Sequence, residues 1–365
     1  MKIYYEAKRV FYNNTGLGNY SRWLVEEYSA QYPSDELFLL KPGSKESKHD
    51  LQFSTPRFNT ISYSNFLGIP RMLSLLNKVP ADGIFHGLSA EIPMLTKKIK
   101  KVIVTIHDII FLYRPNDYAF IDRNIYIQKL KYALKNADNI IAISETTAQD
   151  IINYFGIDEN KIKVIYQNCN KIFYNRLSVV EIEQSKIKFN LPIDYLICVS
   201  SFNERKNLQS IVEAYRLLTP SQRVPLVFVG SGNLKKDVSN LVAKYDLAKY
   251  FIFLDYVEPK DLPALYQGSM ALIYPSLMEG FGIPALEAMA SGIPILGHQH
   301  TAVEEAAGEA GLFVDCTNSE VFAGAIQNLQ TKASLREKFK NASLVQLEKY
   351  TNAKLMKELN ELYKS

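Results

Sequence analysis

The chain has 365 residues, 47% of them apolar and 22% charged, with a formal net charge of +4. This balance excludes a disordered chain, a fibrous repeat and a disulfide scaffold, and the length predicts two domains. Three scattered cysteines, Cys169, Cys198 and Cys316, suit neither a disulfide framework nor a zinc knuckle. No apolar run is long enough to span a bilayer, and the first residues read as a strand, so a cytoplasmic address is expected. The charge is uneven: residues 1–180 hold 23 Lys+Arg and 17 Asp+Glu (+6), leaving 42−23=19 and 38−17=21 (−2) for the rest. A basic first half suits an anionic partner on that side.

Short apolar runs dense in Ile, Val, Leu and Tyr alternate with longer helical patterns. Strands are predicted at 2–5, 36–40, 83–86, 102–106, 139–143 and 163–165. A second series follows at 195–199, 226–229, 251–254, 271–274, 294–296 and 311–314. Their lack of polar alternation fits strands buried on both faces of a parallel sheet. Helices are predicted at 18–31, 126–135, 144–154, 208–218 and 234–245. The alternation argues an α/β fold with two doubly wound parallel sheets. The junction is placed within 174–193, which lacks strand signals. Ligands of such sheets lie at the carboxyl ends of strands, so the residues just after each strand are the ones to read.

The most informative of these segments runs from Pro275 to Glu287. Two glycines let the backbone approach a ligand, Pro284 suits a first helical position, and Gly292 suits a helix end. Glu279 and Glu287 are expected to face one cleft, accepting hydrogen bonds from sugar hydroxyls beside a phosphate held by the helix N-terminus. A second segment carries Arg205, Lys206 and Asn207 ahead of a helix, with Asn207 as the expected N-cap. Two cations just before a helix start are unfavourable unless an anion sits there, and a diphosphate would supply it. A third is the loop with Gly16, Leu17 and Gly18, a candidate phosphate or sugar cradle that fails as a dinucleotide fingerprint, as does the Gly230–Gly232 segment. His107, with Asp108, ends a predicted strand and points to the same edge; His86 does so less clearly. The remaining histidines have no ligand spacing for a metal.

Together these residues resemble the retaining glycosyltransferases of family 4. Glu279 and Glu287 match its E-x7-E pattern, with Pro275, Ser276, Gly280, Phe281, Gly282 and Pro284 around them. The 205–208 run resembles its R-K-N-L phosphate segment, the 16–20 loop its N-terminal glycine loop, and His107-Asp108 its H-D pair. The 301–311 run is similar to the segment that usually follows. The resemblance implies a GT-B architecture, two Rossmann-like domains facing across a cleft: residues 1–180 for the acceptor, 181–350 for the nucleotide-sugar, and a last helix in 351–365 returning to the first domain.

By that resemblance Arg205 and Lys206 hold the donor diphosphate, Glu287 the ribose hydroxyls and Glu279 the transferred sugar, with His107 beside it. Gly16, Leu17 and Gly18 approach the phosphates, and Gly280, Phe281, Gly282 and Ile283 line the donor. Tyr256 and Val257 lie near the base. The implied reaction moves a hexose, with GDP-mannose favoured over UDP-sugars, to a glycan or lipid-linked glycan in polysaccharide or lipopolysaccharide assembly. No metal, no cofactor beyond the co-substrate donor and no nucleic acid are expected. Ser200-Ser201 stands where many members carry a further arginine, which would leave more of the leaving-group charge to Arg205 and Lys206. Asn168-Cys169 replaces the usual N-G. The apolar and basic stretches at 65–79 and 97–101 suggest a peripheral contact with an anionic membrane. The alternatives are a sugar-nucleotide epimerase or hydrolase on the same fold, or a non-catalytic sugar-nucleotide-binding protein.

Overall fold

The computed structural model describes residues 1–43, 45–63, 71–75, 78–94 and 96–365. Of the 65–79 stretch, positions 65–70, 76 and 77 lie outside the described residues. The chain divides into two units, one of Met1–Gln167 with Asn352–Ser365 and one of Asn168–Thr351.

The first unit is built on strands β1 (Lys2–Glu6), β2 (Glu36–Pro42), β3 (Phe58–Tyr63), β4 (Ile84–Gly87), β5 (Lys101–Ile106), β6 (Asn139–Ala142) and β7 (Ile162–Val164). Every pairing is parallel, in the order β3-β2-β1-β4-β5-β6-β7. Six strands were expected here, and β3 is the one the sequence hides. It is an edge strand, FNTISY, largely open to solvent except for Tyr63, so it needs no apolar run. The strand order reverses between β1 and β4, which opens a crevice at their carboxyl ends. The helix Asn352–Lys364 closes this unit. Leu355, Met356, Leu359 and Tyr363 form its buried stripe, and Trp23 Nε1 donates to Asn352 Oδ1 at 3.1 Å.

The second unit has β8 (Leu196–Val199), β9 (Leu226–Val229), β10 (Phe251–Leu254), β11 (Leu272–Tyr274), β12 (Ile295–His298) and β13 (Gly311–Val314). They pair in the order β10-β9-β8-β11-β12-β13, again all parallel. Here the reversal lies between β8 and β11. Ile211, Tyr215, Phe228, Phe322 and Ile326, all at most 1% exposed, fill one face of this sheet; burying a side chain of this kind contributes roughly 1.5–3 kcal/mol.

The division differs from the expected 180/181. Residues 168–180 already belong to the second unit, because their contacts are there. Arg176 Nη1 donates to Ala290 O (3.0 Å), Leu177 N to Gln267 Oε1 (3.0 Å), and Gln267 Nε2 to Asn175 O (2.7 Å). Strand signals mark where sheets end, not where the connecting segment docks. The helix expected at 126–135 runs over Phe120–Asn136. Its first turns carry exposed Phe120, Ile121 and Ile125, so no core-facing period announces them.

Candidate functional site

In the second unit the two loops beside the reversal meet. Arg205 and Lys206 come from the turn after β8, and Glu279 from the loop after β11. Arg205 Nη1 donates to Glu279 Oε2 at 2.7 Å and to Met278 O at 3.0 Å. Lys206 Nζ pairs with Glu279 Oε1 and donates to Tyr274 Oη at 2.6 Å. Tyr274 Oη and Ser276 Oγ donate to the same Oε1 at 2.9 and 2.6 Å. Lys206 is only 7% exposed and Ser276 is fully buried.

The carboxylate therefore accepts from two cations and two hydroxyls. Burial pushes its pKa up, but the Lys206 and Arg205 charges and the hydrogen bonds outweigh that and hold it at about 2. Burial likewise pushes Lys206 down, against the pull of Glu279. The triad carries one net positive charge, two cations against one carboxylate, at the carboxyl edge of the sheet.

Ahead of the adjacent helix start, Glu279 pairs with both Arg205 and Lys206. One expectation is corrected here: Asn207 is not a side-chain cap. It adopts a left-handed conformation, φ 53°, between the turn Glu204–Lys206 and the helix Leu208–Leu217, with no capping hydrogen bond from its side chain. That kink turns Arg205 and Lys206 toward β11, and Arg205 O accepts from Leu277 N at 2.8 Å.

Glu287 lies on the helix Ile283–Ser291, one turn past Pro284, and the helix ends on Gly292 in the left-handed region. Its Oε2 accepts from Tyr266 Oη at 2.8 Å. Burial lifts its pKa to about 7, and the Tyr266 bond offsets this only in part. The two glutamates thus occupy opposite electrostatic environments. Gly282, φ 110°, turns the chain into this helix close to Val303. Phe281 is buried and meets the Tyr350 ring edge-on at 5.7 Å, while Gly280 and Ile283 are half-buried. After β10, Tyr256 is 75% exposed and Val257 is buried.

In the first unit the glycine loop follows β1 through a short helix, Lys8–Tyr12. The next helix, Gly16–Gln31, starts two residues earlier than expected. Asn13 Oδ1 accepts from Thr15 N (2.9 Å) and Gly18 N (3.0 Å). A Cβ on Gly18 would fall 1.9 Å from Asn13 O, so only glycine fits. Gly16 and Leu17 occupy the first turn, where N–H groups have no partner within the helix. His107 follows β5. Its Nε2 donates to Leu88 O at 2.9 Å, and the Tyr20 ring meets it edge-on at 4.6 Å. Burial lowers its pKa to about 4, so it is neutral at pH 7 with Nδ1 as the acceptor. His86 is fully buried, with both ring nitrogens hydrogen-bonded.

The sequence reading missed Tyr274 and Tyr266 as partners of the two glutamates. Tyr274 ends a strand and reads locally as one more buried apolar residue. Among the described residues no cluster of three His, Cys, Asp or Glu side chains could hold a metal, and no helix is long and apolar enough to cross a membrane.

Comparisons with known proteins bear on the family and the fold. Residues 180–344 match the family model described as Glycosyl transferases group 1, and residues 26–167 match Glycosyltransferase Family 4. An Escherichia coli O-antigen chain mannosyltransferase B is 29% identical over 351 residues, covering 90% of this chain and 91% of the relative. The Salmonella typhimurium O-antigen chain mannosyltransferase RfbU is 27% identical over 279 residues, 76% of this chain and 72% of the relative. In fold, the chain superposes on Anabaena HepE, solved with UDP, with a TM-score of 0.77 at 16% identity over 100% of both chains. Sucrose-phosphate synthase from Thermosynechococcus elongatus gives 0.77 at 18% identity, over 100% of this chain and 98% of that one. With two Rossmann-like parallel-sheet units and both family models matched in order along its length, the chain belongs to the family 4 glycosyltransferases of GT-B architecture.

Proposed function

We propose that the chain transfers a hexose, mannose by preference, from a nucleoside diphosphate sugar to a hydroxyl of a glycan or lipid-linked glycan, in O-antigen or other lipopolysaccharide assembly. Transfer retains the anomeric configuration and uses no metal. The observation that carries this reading is the buried Arg205–Lys206–Glu279 cluster with its single net positive charge at the β8/β11 reversal. The names of the mannosyltransferase relatives favour mannose, and hence a GDP donor over a UDP donor.

Arg205 and Lys206 take up the charge of the departing diphosphate. The sugar–phosphate C–O bond breaks, and an oxocarbenium-like species is met on the same face by the acceptor oxygen. The acceptor's proton passes to the leaving phosphate oxygen. Preorganised positive charge at the leaving group is the main source of rate. Glu279, already ionised, accepts from hydroxyls of the transferred sugar, and Glu287 from the ribose. Neutral His107 works beside the donor sugar. Gly16, Leu17 and Gly18 approach the phosphates, with the N–H groups of Gly16 and Leu17 directed to them while that of Gly18 is held by Asn13. The backbone of Gly280, Phe281, Gly282 and Ile283 contacts the donor, and Tyr256 and Val257 flank the base.

Exposed Tyr118, Phe120, Ile121 and Ile125, next to Arg123, offer an apolar and basic surface for the lipid part of an acceptor or the membrane that holds it. The enzyme then acts peripherally at that membrane.

The test is a thermal-shift panel with GDP, UDP, ADP and NAD, with and without EDTA, followed by product analysis with the matching nucleotide-sugar. Stabilisation by one nucleoside diphosphate that EDTA leaves unchanged, with an axial product bond from an axial donor, supports the reading. A shift with NAD alone, or an inverted product, refutes it. Free or isomerised sugar without an acceptor marks the epimerase or hydrolase instead.

A further inference from the structure

The last turn of the chain enters the core of the first unit and touches groups that the proposed reaction leaves unused. Tyr363 Oη donates to Tyr5 Oη at 3.2 Å and lies 2.7 Å from His86 Nδ1. A hydroxyl has one proton. That of Tyr363 goes to Tyr5, so Tyr363 accepts from His86, whose proton therefore sits on Nδ1. His86 Nε2 is then the acceptor for Thr105 Oγ1, 2.8 Å away. With its own proton used, Thr105 Oγ1 accepts from Tyr20 Oη at 3.4 Å. The Tyr20 ring in turn stands edge-on against His107, at 89° between planes. On its other side His107 is held by the Leu88 carbonyl.

Tyr5, His86 and Thr105 are fully exposed to nothing but protein, each at 0% accessibility, and Tyr363 is at 3%. An imidazole in such a place is unfavourable unless every polar atom finds a partner, and here both nitrogens do. Packing alone would be met by an apolar ring. A chain of donors with one defined direction instead fixes the tautomer of His86 and the seat of the Tyr20 ring.

We propose that Tyr363, His86 and Thr105 are positioning residues for His107: the C-terminal helix sets the seat of the site histidine through one buried hydrogen-bond chain. This rests on the role given to His107 above. The chain ends at Tyr20, whose ring edge seats the His107 ring, while the Leu88 carbonyl fixes the His107 tautomer; none of the chain's members contacts substrate.

The test uses the full chain with two near-isosteric changes at opposite ends, Tyr363→Phe and Thr105→Val. Each is made in the parent and in a His107→Ala background, with Tm recorded for all. Either change is expected to lower kcat on the order of tenfold, with donor KM within about twofold, since a small misplacement of a reacting group is felt in turnover. Neither is expected to lower kcat further once His107 is gone. Histidine 15N NMR provides a readout independent of activity: His86 is the Nδ1–H tautomer in the parent and loses it in Tyr363→Phe. An unchanged kcat, an equal loss in the His107→Ala background, or an Nε2–H tautomer for parental His86 overturns the proposal. If His107→Ala itself keeps parental turnover, the role of His107 in the proposed reaction falls, and the positioning role with it. If His107→Ala is impaired while both end variants are normal, only the positioning role falls. Should Tyr363→Phe fail to fold, Thr105→Val and the tautomer of parental His86 still decide.

Discussion

Replacing Glu287 by Gln is predicted to stabilise the protein above neutral pH and to weaken donor binding. The Glu287 carboxyl is raised from 4.5 to about 7 by burial, with the Tyr266 hydrogen bond as a partial counterweight. At 1.36 kcal/mol per pH unit, keeping it ionised costs about 3 kcal/mol of folded-state stability. The sign follows from linkage. The folded group holds its proton more tightly than the unfolded one, so its favourable contribution is complete below about pH 4.5. That contribution is lost as pH rises toward about 7, and the full penalty applies above that.

Glutamine keeps the shape and still accepts from Tyr266, but carries no charge. At pH 8 the second unit should gain roughly 6–12 °C in Tm, and at pH 5 the gain should shrink below about 1 kcal/mol. Donor KM should rise roughly tenfold, because a charge-assisted bond to a ribose hydroxyl becomes a neutral one. The assay is calorimetry of both proteins from pH 5 to pH 8, with donor kinetics at pH 8. A stability difference independent of pH, or a less stable variant at pH 8, would refute the reasoning.

Glu279→Gln should behave in the opposite way. It removes the Glu279 charge that pairs with Lys206, at 7% exposure, and with Arg205, and should lower stability by about 3–5 kcal/mol, seen as a fall in urea midpoint. Because the Glu279 pKa is depressed to about 2, its contribution is complete above about pH 4.5 and fades only as pH falls toward 2, which acid titration of the parent will show. Lys206→Ala should lower turnover by orders of magnitude; near-normal turnover would remove its place at the leaving group. Phe120→Ser with Ile121→Ser should reduce sedimentation with anionic liposomes while leaving transfer to a short soluble acceptor unchanged, and equal sedimentation of parent and variant would dismiss this surface.

Much of the architecture is local information. A strand buried on both faces in a parallel sheet must be a short apolar run, so β8, β9 and β10 are legible within four residues each. The edge strand β3 has no such need and stays hidden. The residues of the site are legible too, because a glycine at Gly282, a helix-starting Pro284 and the charges of Arg205, Lys206, Glu279 and Glu287 are unusual just after a buried strand. Their partnerships are not. Glu279 and Arg205 lie 74 residues apart, and only the reversal of strand order between β8 and β11 brings their loops together. The same holds for His86 and Tyr363, 277 residues apart. The sequence alone thus determined the two doubly wound units and the chemical types at their carboxyl edges. Tertiary structure decided which charge answers which, why one glutamate is held ionised and the other lifted toward neutrality, and where the units divide. The physical reason is that backbone pattern follows nearest neighbours along the chain, whereas desolvation and charge pairing follow neighbours in space.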